Sequence, residues 1–328
     1  MNAGIRRAVG LTALLLAFQG AEAFGAEVPA CFPDGAPPMP LAQPVTVRPL
    51  CFQGRLLSFD QAGVTRYACL NAPRQSRGEQ TEGKWPLLIY LHGSLTTPDS
   101  LYLLGKDLYD LHDTYPLSDD PAVRGFFILS PEGRRATPWA SDGPETGTGF
   151  HWDEWYRNPS ENLDALAIDH FVEAALATGR IDPERVYVFG WSNGAYMSAL
   201  YGNWRSDRIA AIAQYAGADP WSRTPCPVPL EVEREVPLVL MRNLCDLLVP
   251  CATSSEWIET LSERDWPFEY HNLGLKGGIV SPDSQCAESC STARGLYEHV
   301  RWPKKGALQK MLSFLRQHTV PAEDVQPR

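Results

Sequence analysis

The chain of 328 residues is 44% hydrophobic and 21% charged, and it has a formal net charge of −10 at pH 7. These values are typical of a globular protein that is long enough to bury one extensive core. The acidic balance and the lack of a Lys/Arg run argue against binding to nucleic acid or to anionic membrane surfaces. A neutral or polymeric substrate fits this composition better.

The N-terminus has the pattern of a secretory signal peptide. Arginines at positions 6 and 7 precede an apolar run over residues 9–18, and Ala21-Glu22-Ala23 offers a cleavage site. The run is too short to span a bilayer, so we expect no stable membrane insertion. We predict cleavage of residues 1–23 and a secreted or periplasmic protein in which residues 24–328 form one catalytic domain. A buried N-terminal helix is the alternative.

All the cysteines follow this segment, and an even number in an exported chain predicts disulfide bonds. The eight are Cys31, Cys51, Cys69, Cys226, Cys245, Cys251, Cys286 and Cys290. The sequence does not fix their pairing, although short loops favour Cys245 with Cys251 and Cys286 with Cys290. No C-x-x-C pair or H-x-x-x-H helix indicates a metal site, and we expect no metal or cofactor.

The first predicted elements are a β-hairpin and a buried strand. Alternating apolar residues on both sides of positions 60–63 predict a hairpin over residues 55–70. Residues 87–91 form a fully apolar strand of the buried parallel type, which ends at His92-Gly93-Ser94. Gly93 would let the N–H of Ser94 face a nucleophile, as an oxyanion hole requires. We interpret His92 as a structural histidine rather than a proton-transfer group.

The next segment alternates helix, strand, loop and helix. Periodicity predicts helices over residues 101–109 and 160–176 and a strand over residues 125–131. The aromatic-rich loop over residues 132–156 would either line a substrate cleft or form a satellite hydrophobic cluster. On the second helix, Asp164, Asp169 and His170 are interpreted as surface or packing residues.

A strand, a tight turn and a helix meet at Ser192. An apolar run over residues 186–189 leads into Gly190-Trp191-Ser192-Asn193-Gly194, and a helix-like segment follows. A serine on so sharp a turn has strained backbone angles, and glycines two residues before and after it let the flanking chains pass. We therefore predict that Ser192 is a nucleophile and that the N–H of Asn193 joins that of Ser94 in the oxyanion hole. A plain glycine-rich turn is the alternative.

Three further strands are predicted over residues 209–215, 236–241 and 268–273. Asp246 follows the second of them in a loop restrained by Pro250, and a carboxylate there could orient a catalytic histidine. Its alternative role is to cap the predicted helix over residues 254–264. The alternation of strands and helices predicts one doubly wound α/β domain.

The base is predicted to be His299. It follows a loop over residues 274–294 and precedes an amphipathic helix over residues 307–318, and we place it in a loop after the final strand. His271, inside a predicted strand, is the reserve candidate. A serine hydroxyl needs a base within hydrogen-bond reach, and the base needs an acceptor that fixes its tautomer. Ser192, His299 and Asp246 supply these three groups.

These motifs together resemble secreted polyhydroxybutyrate depolymerases and the feruloyl and acetylxylan esterases of carbohydrate esterase family 1. The residues that carry the resemblance are Leu91-His92-Gly93-Ser94, the Gly-x-Ser-Asn-Gly-x-x-Met core, Asp246-x-x-Val249-Pro250 and His299 near Trp302-Pro303. The resemblance extends over about residues 85–315. It implies an α/β-hydrolase fold with a mostly parallel central sheet, Ser192 as nucleophile, Asp246 as acid, His299 as base and no cofactor.

The expected activity is hydrolysis of carboxylic esters through an acyl-serine intermediate. The candidate substrates are polysaccharide-linked aromatic or acetyl esters and hydroxyalkanoate oligomers or polyester, with Trp152, Trp191 and Trp302 as substrate-binding residues. One alternative is a secreted serine peptidase on the same fold. The other is a non-catalytic binding protein on a decayed hydrolase scaffold. The sequence does not indicate an oligomeric state.

Overall fold

The computed structural model describes residues 48–77, 83–136, 139–140, 143–144, 149–222, 228–287 and 290–321. The predicted signal peptide, Cys31 and Cys226 lie outside these residues. Among the helices in these ranges, none combines the length and the apolar character needed to cross a bilayer.

A central sheet of eight strands carries the fold. The described residues contain twelve strands, eight of which form this sheet. They are β1 (Arg55–Gln61), β2 (Val64–Asn71), β3 (Trp85–Leu91), β4 (Phe127–Pro131), β5 (Arg134–Ala136), β6 (Trp139–Ala140), β7 (Gly143–Pro144), β8 (Gly149–His151), β9 (Ile181–Trp191), β10 (Ala211–Tyr215), β11 (Leu238–Asn243) and β12 (Phe268–Leu273). The central sheet has the order β1-β2-β4-β3-β9-β10-β11-β12, while β5 pairs with β8 and β6 with β7. Pairing is antiparallel from β1 to β4 and parallel from β4 to β12. The predicted hairpin and mostly parallel sheet are confirmed.

Helices connect the parallel strands. They are α1 (Ser100–Leu103), α2 (Lys106–Leu111), α3 (Leu163–Leu176), α4 (Asn193–Trp204), α5 (Cys251–Glu263), α6 (Thr292–Val300) and α7 (Lys305–Arg316), with a 3-10 turn at Arg74–Arg77. The single helix predicted over residues 101–109 is divided at Gly105, where a Cβ atom would lie 2.6 Å from the ring of Trp302. Helix α6 was not predicted. His299 therefore lies in the last turn of a helix, and its predicted loop position is wrong.

Both faces of the sheet are buried. On β3, Leu87 and Ile89 belong to one hydrophobic cluster, which also contains Phe171 of α3 and Trp257 of α5. Leu88 and Tyr90 belong to a second cluster on the opposite face, and α2 and α7 pack there. Successive side chains of a strand point to opposite faces, so a strand buried on both sides is continuously apolar. This packing explains the sequence of β3.

A buried ionic cluster lies beside the sheet and corrects the interpretation of Asp164. Its carboxylate is 2.9 Å from Arg66 and 3.2 Å from Arg134, and it accepts a 2.7 Å hydrogen bond from the N–H of Asp153. Arg134 also pairs with Asp153 at 2.9 Å. All four side chains are at most 3% exposed. Asp164 therefore connects β2, β5 and the segment after β8, rather than facing solvent.

Asp164→Ala is expected to lower the free energy of unfolding by about 3–5 kcal/mol, because it leaves the buried charge of Arg66 without its carboxylate. The control is Asp110→Ala, which breaks an exposed pair with Lys106 and should cost less than about 0.5 kcal/mol. Urea denaturation of both variants measures the difference. Equal losses in the two variants would show that the buried cluster contributes no more than a surface pair.

The same cluster predicts a dependence of stability on pH. Burial acts to raise the pKa of Asp164, but the charges of Arg134 and Arg66 and the N–H of Asp153 outweigh it, so the pKa lies below its ordinary value. A carboxyl whose pKa is lower in the folded than in the unfolded state stabilises the protein above the unfolded pKa. That contribution is lost as the pH falls through the folded pKa. Asp164→Ala should therefore lose less stability on acidification than the parent does.

Candidate active site

The turn between β9 and α4 holds Ser192 in a strained conformation. Its φ of 56° and ψ of −123° are rare for a residue with a side chain. A Cβ atom at Gly190 would lie 1.9 Å from the carbonyl oxygen of Gly194, and one at Gly194 would lie 2.2 Å from that of Leu91. Only glycine fits at either position. The N–H of Ser192 donates to the carbonyl of Tyr215 at 2.9 Å, which fixes the turn on the neighbouring strand.

Ser192, His299 and Asp246 form one continuous hydrogen-bonded chain. The Oγ atom of Ser192 lies 2.9 Å from Nε2 of His299. Nδ1 of His299 lies 2.9 and 2.8 Å from the two carboxylate oxygens of Asp246. With Nδ1 protonated and facing the carboxylate, Nε2 is free to accept the serine proton. The arrangement can activate the hydroxyl as a nucleophile.

The acid is held by its own loop. Oδ1 of Asp246 accepts hydrogen bonds from the N–H groups of Leu248 and Val249, both at 2.9 Å. These donors orient the carboxylate towards His299, and only 8% of Asp246 is exposed. The reserve base, His271, lies on β12 with its Nε2 atom 3.8 Å from Glu269. The histidine that contacts Ser192 is therefore His299, and not the reserve candidate His271.

The two predicted oxyanion residues flank the serine. Asn193 is the first residue of α4, and N–H groups in the first turn of a helix have no partner within the helix. On the other side, a Cβ atom at Gly93 would lie 3.3 Å from Cβ of Ser192, so the backbone ahead of Ser94 passes directly beside the nucleophile. The oxyanion role of these two N–H groups stays a prediction.

His92 holds the loop that leads to Ser94. It is fully buried, its Nδ1 atom lies 2.9 Å from the carbonyl of Gly93, and its Nε2 atom accepts a 3.0 Å hydrogen bond from the N–H of Gly133. Because Nε2 is an acceptor, the proton is assigned to Nδ1. Burial lowers the pKa of His92 to about 4. These contacts agree with the structural role predicted for it.

Trp152 joins the two sides of the predicted oxyanion hole. Its backbone N–H donates to the side-chain oxygen of Asn193 at 2.7 Å, and the amide of Asn193 donates back to the Trp152 carbonyl at 3.1 Å. The indole N–H donates to the carbonyl of His92 at 2.8 Å. The side chain is 0% exposed. Trp152 is therefore a positioning residue here, and the substrate contact predicted for it is not formed by its buried ring.

The other two tryptophans are also packed into the protein. Trp191 is 2% exposed, and Trp302 is half-buried with its ring centroid 5.8 Å from that of Tyr90 and 6.0 Å from that of Trp191. Trp191 belongs to the second core cluster, and Trp302 packs against that cluster as a partly buried residue. The substrate contact predicted for Trp302 stays a prediction.

Two disulfide bonds bracket the acid loop, and both predicted short pairings are wrong. Cys245 pairs with Cys290 and Cys251 pairs with Cys286. Cys245 immediately precedes Asp246, and Cys290 lies just ahead of α6, the helix whose last turn contains His299. The bonds thus tie the acid loop to the segment that leads to the base. The third disulfide of the described residues, Cys51–Cys69, lies in the N-terminal hairpin region.

Loss of the Cys245–Cys290 bond should affect the site more than loss of Cys51–Cys69. Replacing both cysteines of either pair with serine is expected to cost about 2–4 kcal/mol of stability. The Cys245→Ser/Cys290→Ser variant should in addition lose kcat at temperatures where it stays folded, because one of the two disulfides that restrain the acid loop against the segment ahead of α6 is missing. Circular dichroism and ester hydrolysis measured on the same samples test this. Equal kcat in the two folded variants would contradict it.

Comparisons with known proteins identify the architecture. A model of the prolyl oligopeptidase family matches residues 145–227, while the sequence shows no match to a curated protein. A thermostable esterase superposes with a TM-score of 0.54 at 18% identity, over 81% of this chain and 63% of that one, so this chain spans less than two thirds of its length. A ferulic acid esterase superposes with a TM-score of 0.50 at 14% identity, over 81% of this chain and 99% of that one. This chain has the α/β-hydrolase fold.

In an α/β-hydrolase the serine, the acid and the histidine follow in that order along the chain. Here Ser192 follows β9, Asp246 follows β11 and His299 comes after β12. Because the strands from β4 to β12 are parallel, their carboxyl ends lie at one edge of the sheet. The three residues meet at that edge.

Proposed function

We propose that this protein is a serine carboxylic-ester hydrolase. The observation that carries the proposal is the hydrogen-bonded chain from Ser192 through His299 to Asp246, with both donor–acceptor contacts of the histidine at 2.8–2.9 Å. Each residue has the partner that its role requires, and the serine stands on a strained turn. In a scaffold that has lost its activity, no constraint would maintain these three hydrogen-bond contacts of His299.

The reaction would proceed in two halves. His299 takes the proton of Ser192 as Oγ attacks the ester carbonyl, and Asp246 stabilises the imidazolium that forms. The N–H groups of Ser94 and Asn193 would stabilise the negative oxygen of the tetrahedral intermediate. His299 then protonates the leaving alcohol, and an acyl-serine remains. Water then attacks the acyl group with the same histidine as base, and the carboxylic acid product is released from Ser192.

The proposed substrates are polysaccharide-linked feruloyl or acetyl esters and hydroxyalkanoate oligomers or polyester. The motif resemblance supports this class, and the ferulic acid esterase structure shares the fold. Methyl ferulate, acetylated xylan and hydroxybutyrate oligomers form a panel that distinguishes the members of the class. The three disulfides of the described residues support a secreted or periplasmic location, where such bonds persist.

A fluorophosphonate probe provides the direct test. It should label the parent protein, and mass spectrometry should find the label on Ser192, because only an activated serine reacts rapidly with such probes. Labelling should collapse in His299→Ala and persist in His271→Ala, the matched control on β12. A parent protein that binds ester substrates without being labelled would favour the non-catalytic binding protein instead.

A serine peptidase is the second candidate, because the matching family model is that of the prolyl oligopeptidases. The same three residues can cleave an amide, since the histidine can protonate a leaving amine. Matched p-nitrophenyl ester and p-nitroanilide substrates with the same acyl group compare the two activities. A higher kcat/KM for the amide than for the ester would favour the peptidase.

A further inference from the structure

The helix that carries the predicted base has almost no apolar anchor. Among the residues of α6, those that are buried are Gly295, Glu298 and His299. None of them is a large hydrophobic residue, and Val300 packs against the core only as a partly buried side chain, so burial of apolar surface contributes little to fixing this helix. Another interaction must hold the end of α6 at the distance that the contact with Ser192 requires.

The carbonyl groups at the end of α6 are the available points of attachment. The last carbonyls of a helix have no partner within the helix. The indole N–H of Trp191 donates to the carbonyl of His299 at 3.2 Å, and the amide of Asn243 donates to that of Glu298 at 2.7 Å. The hydroxyl of Tyr215 donates to the carbonyl of Arg301, the residue after the helix.

The three donors occupy equivalent places in the sheet. Trp191, Tyr215 and Asn243 are the last residues of β9, β10 and β11, which are adjacent strands. Each is buried, and each side chain reaches from the carboxyl end of its strand to the backbone of α6 or to the residue that follows it. The end of α6 is therefore attached to three adjacent strands of the central sheet.

Two of the donors also support one another. The amide of Asn243 donates to the hydroxyl of Tyr215 at 2.8 Å, and that hydroxyl donates onward to Arg301. Burial raises the pKa of Tyr215 well above its ordinary value, so the hydroxyl keeps its proton. The side-chain nitrogen of Asn243 faces two acceptors, the hydroxyl of Tyr215 and the carbonyl of Glu298, and this assigns the orientation of the amide. The donors of this buried network are all paired, while the side-chain oxygen of Asn243 is buried without a hydrogen-bond partner among the described residues.

We propose that Trp191, Tyr215 and Asn243 are positioning residues that hold His299 by its backbone, so that its ring stays between Ser192 and Asp246. The proposal rests on the proposed serine-hydrolase function of the same site. None of the three needs to touch the substrate. They act through the placement of the imidazole, and misplacement of about 1 Å at a reacting group can cost roughly 100-fold in rate.

The test removes the donors with minimal change of shape. The variants are Tyr215→Phe, Asn243→Leu, their double variant and Trp191→Phe. The controls remove equally buried donors far from the site. Tyr187→Phe deletes the hydroxyl that donates to the His318 carbonyl at 3.0 Å, and Trp266→Phe deletes the indole N–H that donates to the Val236 carbonyl at 2.9 Å.

We expect kcat for p-nitrophenyl acetate to fall by about tenfold in each single variant, with KM within about twofold of the parent. The double variant should lose less than about 100-fold, because Asn243 and Tyr215 share a hydrogen bond and their effects are not additive. The controls should keep the parental kcat at similar thermal stability. The proton on Nδ1 of His299 provides a second readout by NMR, assigned through its absence in His299→Ala. Its downfield signal should broaden or vanish in the site variants and persist in the controls.

Unchanged kcat in all four site variants, or equal losses in the controls, would overturn the proposal. Failure of the proposed function itself gives a different result, because the parent would then neither hydrolyse esters nor react with the probe. In that case the NMR signal of the Nδ1 proton of His299 still shows whether the three donors hold the ring against Asp246. A signal that persists in every site variant would overturn the positioning role.

Discussion

Ser192→Ala is expected to lower kcat for p-nitrophenyl ester hydrolysis by a factor of about 10⁴–10⁶. The variant keeps the strained turn and the flanking N–H groups but has no oxygen to form the acyl-enzyme. A small residual rate should remain, because the predicted oxyanion donors and substrate binding are unaffected. Steady-state kinetics with enzyme purified from a host that lacks other esterases measures the effect.

The control for this variant is Ser198→Ala on α4, the helix that begins directly after Ser192. Ser198 is buried and its hydroxyl donates to the carbonyl of Ala195 at 2.7 Å, so it resembles Ser192 in chemistry but not in position. It should hydrolyse the ester at nearly the parental rate. A Ser192→Ala protein that keeps more than about one tenth of the parental kcat would exclude Ser192 as the nucleophile.

The second large effect is expected for Asp246→Asn, with a loss of about 10⁴ in kcat. The amide oxygen can still accept the N–H groups of Leu248 and Val249, which turns the amide nitrogen towards His299. Nδ1 must then act as an acceptor, so the ring proton moves to Nε2. A protonated Nε2 cannot take the proton of Ser192, and the nucleophile is not activated.

Asp169→Asn is the matched control for this substitution. Asp169 on α3 accepts hydrogen bonds from Tyr201 of α4 and from Arg205, which follows that helix. Both variants should bind substrate with a KM close to that of the parent, but only Asp246→Asn should lose kcat. If Asp246→Asn keeps kcat within tenfold of the parent, another group orients His299.

Local features of the site could be predicted because their causes are local. The strained serine needs its two glycines within two residues on either side, so the strand, turn and helix around Ser192 are readable from a few consecutive residues. The buried parallel strands are readable for a similar reason, because burial on both faces demands an uninterrupted apolar run. The order of Ser192, Asp246 and His299 follows from these elements.

Other features depend on contacts between distant segments. The short sequence separation favoured a disulfide between Cys245 and Cys251. Both cysteines instead form disulfides with the segment ahead of α6, because the acid loop and that segment lie side by side. Asp164 was interpreted only as a surface or packing residue, because the two arginines that neutralise it come from the distant strands β2 and β5. Trp152 was predicted to contact the substrate, but its ring is buried and packs against that of His92.

The sequence by itself therefore predicted the type of fold, from its alternating apolar strands and helices, and the strained serine turn that we propose as the nucleophile, from constraints within a few consecutive residues. Only the tertiary structure decided how His299 is held. The helix that carries it was not predicted, and the side chains that donate to the backbone at its end come from the ends of three strands, about 50 to 110 residues earlier in the chain. Hydrogen bonds over such separations depend on the packing of the sheet, and no local pattern records them.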